Sequence, residues 1–132
     1  MMETEAGKKP KIIVVENDRI QRDLILLALR RLNCDVIILQ NGLDVVTAIQ
    51  SQKPEVVILD LFLPLVSGLD ILEELKQSGM LVKTTVIVVS GMGFTEIVEQ
   101  AKEKGAFDFL IKPIETDLLV NRVEKALRRR DK

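Results

Sequence analysis

The chain contains no histidine and a single cysteine, Cys34. The first absence excludes histidine general bases, histidine metal ligands and Ser-His-Asp triads. Proton or phosphoryl chemistry must then rest on carboxylates, lysine, hydroxyls or a metal. One cysteine excludes an internal disulfide and a thiolate zinc cluster, and Cys34 reads as an inert thiol at a helix end. Long apolar runs are also missing. The longest unbroken one is Leu24–Leu29, whereas a membrane span needs roughly 20 such residues. Met1 to Pro10 carries Glu3, Glu5, Lys8 and Lys9 and lacks the apolar centre of a targeting signal. Gly7 and Pro10 punctuate it, so residues 1–10 are expected to be a flexible leader. These absences predict a cytoplasmic protein without membrane contact. Neither sign of charge dominates: 19 Lys and Arg against 20 Asp and Glu give a net charge of −1. That balance offers no electrostatic basis for direct nucleic-acid binding.

What is present suits one domain over residues 11–130. The 132 residues are 47% hydrophobic and 30% charged, enough to bury a core. Five short apolar bursts recur: Ile12–Val15, Val36–Leu39, Val56–Leu59, Val86–Val89 and Phe107–Ile111. Most are rich in Val and Ile, and the central ones are apolar on consecutive residues. That pattern fits strands covered on both faces, as in parallel sheets. Between them lie segments of helical spacing. Leu119, Val123, Ala126 and Leu127 form one stripe, and Leu69, Leu72 and Leu75 another. Asn41 and Thr116 read as helix starts, Thr95 as a cap before Ile97, and Lys53-Pro54, Gly79 and Gly105 as stops. The repeated β-α pattern predicts an α/β fold: a three-layer sandwich around a parallel five-stranded sheet. Arg128-Arg129-Arg130 reads as a solvated helix end that suits the macrodipole.

In open α/β sheets, ligands bind beyond the carboxyl ends of the strands. The first strand runs into Glu16, Asn17 and Asp18, and the third ends in Asp60. The fourth is followed by Ser90-Gly91 and the fifth by Lys112-Pro113. Four of the five strands thus deliver polar groups to one edge. Asp18 reads equally well as a helix cap. Asp60 is harder to explain structurally, because Leu61, Phe62 and Leu63 follow it. A carboxylate in so apolar a stretch is costly without a partner. Lys112, after Phe109-Leu110-Ile111, is the matching counter-charge. Glu16 and Asp60 are oxygen donors that suit Mg²⁺, which takes few protein ligands and keeps several waters. A carboxylate beside such cations stays ionised and can act as a nucleophile on a phosphoryl group. Lys112 and the Ser90 hydroxyl would help neutralise the transferring oxygens.

At this point the residues resemble the receiver domain of two-component response regulators, over about residues 10–130. The resemblance rests on four segments in order. They are Ile12-Ile13-Val14-Val15-Glu16-Asn17-Asp18 with Arg22, Val57-Ile58-Leu59-Asp60-Leu61 with Pro64 and Gly68, Val88-Val89-Ser90-Gly91, and Gly105-Ala106-Phe107-Asp108-Phe109-Leu110-Ile111-Lys112-Pro113. It implies a flavodoxin-like (βα)5 fold with strand order 2-1-3-4-5. It also implies Asp60 as phosphoacceptor, and Glu16, Asn17, Asp60 and the Phe62 backbone carbonyl as Mg²⁺ ligands. Ser90 would contact the phosphoryl group. Lys112 would pair with Asp60 or phosphoryl oxygens, ahead of a cis bond to Pro113. Phe109 takes the position of the switch aromatic, which moves with Ser90. The surface of the fourth helix, fifth strand and fifth helix would then change. The implied partners are a histidine kinase or phosphotransfer protein, and a downstream effector or second copy on that surface. Phe94 and Ile97 are candidates for such a seam, or ordinary packing residues.

Two positions depart from the family pattern. The usual Asp-Asp pair is Glu16-Asn17 here, and the uncharged Asn17 predicts weaker Mg²⁺ binding. Phe109 lacks a tyrosine hydroxyl, which predicts an inward rotamer even without phosphate. The main alternative is a pseudo-receiver, a protein-interaction module independent of phosphorylation. A nucleotide- or flavin-binding protein finds only Gly91-Met92-Gly93, whose sixth motif place is Glu96, and there is no Walker A loop. An aspartate-nucleophile phosphatase would want an acid where Phe62 stands.

Overall fold

The structure, a computed structural model, describes residues 9–130, the Arg130 side chain excepted. Most of the leader expected over residues 1–10 lies outside this range. Of its last two residues, Pro10 is buried, and its carbonyl accepts the Asp35 N–H at 2.9 Å. Packing therefore begins one residue before the expected boundary.

Five parallel strands form one sheet: β1 (Lys11–Val15), β2 (Asp35–Leu39), β3 (Val56–Asp60), β4 (Thr85–Ser90) and β5 (Asp108–Ile111). Their order is β2-β1-β3-β4-β5, as the resemblance implies. Five helices connect and follow them: α1 (Arg19–Leu29), α2 (Val45–Gln52), α3 (Gly68–Gln77), α4 (Thr95–Glu103) and α5 (Thr116–Arg130). A short 3-10 turn, Met80–Val82, precedes β4. Among the described residues no helix is long and apolar enough to cross a membrane.

The strands alternate between two cores. Ile12, Val14, Val56, Ile58, Ile87 and Val89 face α1 and α5. Ile13, Val15, Val57, Leu59, Val86 and Val88 face α2, α3 and α4. This two-faced burial is why the central strands are apolar at every position. The α5 stripe Leu119, Val123, Ala126 and Leu127 is fully or almost fully buried. Leu72 and Leu75 of α3 are buried too, with Leu69 half-buried beside them.

Strand boundaries fall within a residue of those read from the sequence, whereas two helix starts differ. Asn41 does not open α2. Its side chain instead accepts the Leu43 N–H at 2.9 Å in a local turn, and the helix begins four residues later at Val45. Asn favours such turns because its side chain mimics a backbone carbonyl. Thr95 is the first helical residue of α4 rather than its cap, a place taken by Phe94 with no side-chain cap bond. The stops are as expected. Lys53 ends α2 in a left-handed conformation, and Gly105 follows α4 at φ 101°. Gly68 is required by close approach: a Cβ there would lie 2.5 Å from the Asp60 carbonyl oxygen. The first turn of α3 thereby packs directly under the end of β3.

Candidate functional site

The parallel register sets three charged side chains at one level. Val15 of β1 pairs with Leu59 of β3, so Glu16 and Asp60 leave adjacent strands side by side. Ser90 pairs with Ile111, which places Lys112 just beyond the neighbouring strand ends. Lys112 Nζ lies 3.0 Å from Asp60 Oδ2 and 2.9 Å from Glu16 Oε1, and also donates to Glu16 Oε2 at 3.0 Å. Glu16 is fully buried and Asp60 is 4% exposed. Two buried carboxylates sharing one ammonium leave a net negative charge at this edge of the sheet.

The backbone supplies further contacts. Asp18 N–H donates to Glu16 Oε2 at 3.0 Å, and Phe62 N–H donates to Asp60 Oδ1 at 3.1 Å. Burial pushes the Glu16 carboxyl above its ordinary 4.5, and the bonds from Lys112 and Asp18 offset this only in part. Burial works to lower the Lys112 pKa, but its hydrogen bonds to Glu16 and Asp60 prevail and leave it raised above 10.5. Lys112 is thus held as a cation. The Lys112-Pro113 bond is cis, as the resemblance implies.

The other expected residues are more loosely gathered. Asn17 is exposed and makes no hydrogen bond among the described residues. Asp18 does not turn in to replace it. It caps α1, accepting from Ile20 and Gln21 N–H at 2.8 and 3.2 Å. The Phe62 side chain is exposed, while its backbone lies against the Asp60 carboxylate. Ser90 is buried, and its Oγ accepts the Met92 N–H at 3.1 Å and donates to the Met92 carbonyl at 3.3 Å. It therefore sets the turn after β4 rather than touching Asp60. Phe109 is half-buried against the core under α2, α3 and α4. Ile97 packs on that same core, whereas Phe94 is exposed.

One positioning residue is not legible from the sequence alone. Gln21 stands at the third helical position after the cap Asp18, where a capping-box residue would bond back to the cap. The Asp18 N–H is already bound to Glu16, and Gln21 Oε1 accepts the Ile114 N–H at 3.0 Å instead. This bond ties α1 to the loop that carries Lys112. Arg22 adds a second tie, donating to the Glu16 carbonyl at 3.3 Å.

Among the described residues no three His, Cys, Asp or Glu side chains gather in one place. The carboxylate donors brought together here are those of Glu16 and Asp60. Both offer oxygens, the chemistry a hard ion such as Mg²⁺ prefers. Glu16 Oε1 fits this reading: it is buried and lacks a hydrogen bond of acceptable geometry, despite its closeness to Lys112 Nζ.

Comparison with known proteins agrees with this arrangement. The model of the response regulator receiver domain family matches residues 12–124. The chain is 31% identical over 124 residues to the DNA-binding response regulator MtrA of Mycobacterium tuberculosis, covering 93% of this chain and 53% of that protein. It thus spans about half the length of the DNA-binding regulators it matches. It is 32% identical over 117 residues to the chemotaxis protein CheY of Listeria monocytogenes, covering 88% of this chain and 97% of that one. The signal receiver domain of a Vibrio parahaemolyticus protein described as a Luxo repressor superposes with a TM-score of 0.86. There the identity is 32%, and 92% of each chain is covered. The fold, the carboxyl-edge cluster and these likenesses establish that the chain belongs to the response regulator receiver domain family.

Proposed function

We propose that this receiver accepts a phosphoryl group on Asp60 from a histidine kinase or phosphotransfer protein, and passes the signal on by a change of surface. The observation that carries this reading is the Lys112 ammonium, 3.0 Å from the buried Asp60 carboxylate and 2.9 Å from Glu16. The ammonium stands against the Asp60 carboxylate, the group that would attack phosphorus. The Phe62 N–H fixes Oδ1, which orients the carboxylate. Such transfer depends mainly on positioning and charge neutralisation. Glu16, Asn17, Asp60 and the Phe62 carbonyl would hold Mg²⁺. When bound, the ion supplies positive charge against the phosphoryl oxygens. Because Asn17 brings no charge, that binding is weaker than with an acid pair.

The output would pass through Ser90 and Phe109 to the α4-β5-α5 face. Ser90 holds the turn after β4 through Met92, so moving its hydroxyl toward a phosphoryl group would release that turn. Phe94 and Ile111 are exposed on this side and suit an effector or a second copy. The second reading is a pseudo-receiver that binds its partner unmodified. The exposed, uncharged Asn17 and the locally satisfied Ser90 favour it. Intact mass after incubation with acetyl phosphate separates the two. A Mg²⁺-dependent gain of one phosphoryl group, absent in Asp60→Asn, is the expected result. No gain at saturating Mg²⁺ would favour the pseudo-receiver.

A further inference from the structure

A concavity lies at the end of the sheet opposite the Asp60 cluster. Pro54 precedes β3 and Thr84 precedes β4, whereas Asp60 and Ser90 close those strands. A strand of this length spans about 17 Å, so the two places are well separated. The concavity has a volume of about 440 Å³, within the range of small-molecule sites, roughly 300–1,000 Å³. Its floor is buried and apolar: Ile49 from the last turn of α2, and Pro54. Thr84 also lies there, but its hydroxyl is already spent on the Pro54 carbonyl at 2.9 Å. Met80 and Val82 of the 3-10 turn form one wall, and Val82 remains 73% exposed.

Charge at the mouth has one sign. Lys53 and Lys83 line the concavity, both are exposed, and neither has an ion-pair partner among the described residues. No acidic residue lines it. Lys53 leaves the chain in a fixed direction, because its left-handed backbone (φ 51°, ψ 57°) is held by a bond to the Ile49 carbonyl and followed by Pro54. The carbonyl end of α2 disfavours an anion on the floor. An anionic group therefore belongs at the lysine rim, with an apolar body below it.

We propose that this concavity binds a small organic anion with an apolar body, of the medium-chain carboxylate class. Apolar area removed from water supplies the affinity, and the two lysines select the head group. The test is an amide NMR titration of the full chain with octanoate, 1-octanol and octylammonium, which share one tail. Octanoate is expected to shift the amides of residues 49–54 and 79–84 saturably, and 1-octanol to bind about fivefold more weakly, the scale of an exposed charge contact. Octylammonium is expected to bind weakest. In Lys53→Gln/Lys83→Gln, octanoate should fall to the affinity of the alcohol, with the spectrum otherwise unchanged. Equal or tighter binding of the alcohol would overturn the proposal. So would shifts centred on Asp60 and Lys112, or no saturable shift at all.

Discussion

At the carboxyl end of the sheet, Glu16 and Asp60 are buried and share the Lys112 ammonium; at the amino end, Lys53 and Lys83 stay exposed and unpaired among the described residues. The strands between them are packed into two apolar cores, one on each face of the sheet. Burying charge is expensive, and folding alone gives no reason to do it at one end only. The difference is what the proposed phosphoacceptor site at the carboxyl end would require. The amino end keeps its charges in water, so any binding there would cost little in stability.

The sharpest way to break this comparison is to remove one lysine from each end. Lys112→Met leaves two buried carboxylates facing each other without a cation. It is expected to lower unfolding free energy in urea by about 3 kcal/mol at neutral pH. Lys83→Met is expected to change it by no more than about 0.5 kcal/mol. Similar losses from both would remove the contrast.

A smaller effect sharpens the comparison within the site. Asn17→Asp restores a charge beside Glu16 and is expected to tighten Mg²⁺ binding about tenfold, roughly 1.4 kcal/mol, by titration calorimetry. An unchanged affinity would mean that Asn17 lies outside the donor set.

Strain at the rim is smaller still. Leu65, in the loop between β3 and α3, has φ 76° and is 74% exposed. Leucine is disfavoured in that conformation and gains little by burial here, while asparagine tolerates it. Leu65→Asn is expected to raise stability by about 0.5 kcal/mol in the same urea assay. A loss would show that Leu65 packs better than its exposure implies.

The smallest effect concerns Cys34, the residue before β2. Burial, with the Asp35 charge beside it, holds the thiol above its ordinary 9.0. The unfolded chain therefore loses this proton first as pH rises. Stability is expected to fall with pH in the window starting at about 9, and Cys34→Ala to remove that slope. Alkylation by iodoacetamide at pH 8 should be slow relative to a free thiol. A rate equal to the free thiol would contradict the burial.

The sequence made the sheet legible because burial on both faces forces unbroken Val and Ile runs, as in Val56–Leu59 and Val86–Val89. Glu16, Asp60 and Lys112 were legible for the opposite reason: charge interrupts those runs at strand ends. Helix starts were less so, since Asn41 serves a turn as readily as a cap, and Thr95 needs no cap bond to begin α4. Gln21 was not legible, because spacing points only to a local cap bond. Its local partner was taken by Glu16, and only the fold brings Ile114 within reach. The Ser90 hydroxyl was expected at the phosphoryl site, and its bonds to Met92 depend on a turn that residue type does not specify.

The central claim is that the buried, lysine-paired Asp60 is the nucleophile. Borohydride reduction of the chain after treatment with acetyl phosphate and Mg²⁺ tests it most directly, because an acyl phosphate is reduced to an alcohol that peptide mass mapping can locate. The expected result is homoserine at position 60 alone, absent without the donor and absent in Asp60→Asn. Reduction at another carboxylate, or an unmodified Asp60 at saturating Mg²⁺, would contradict the claim.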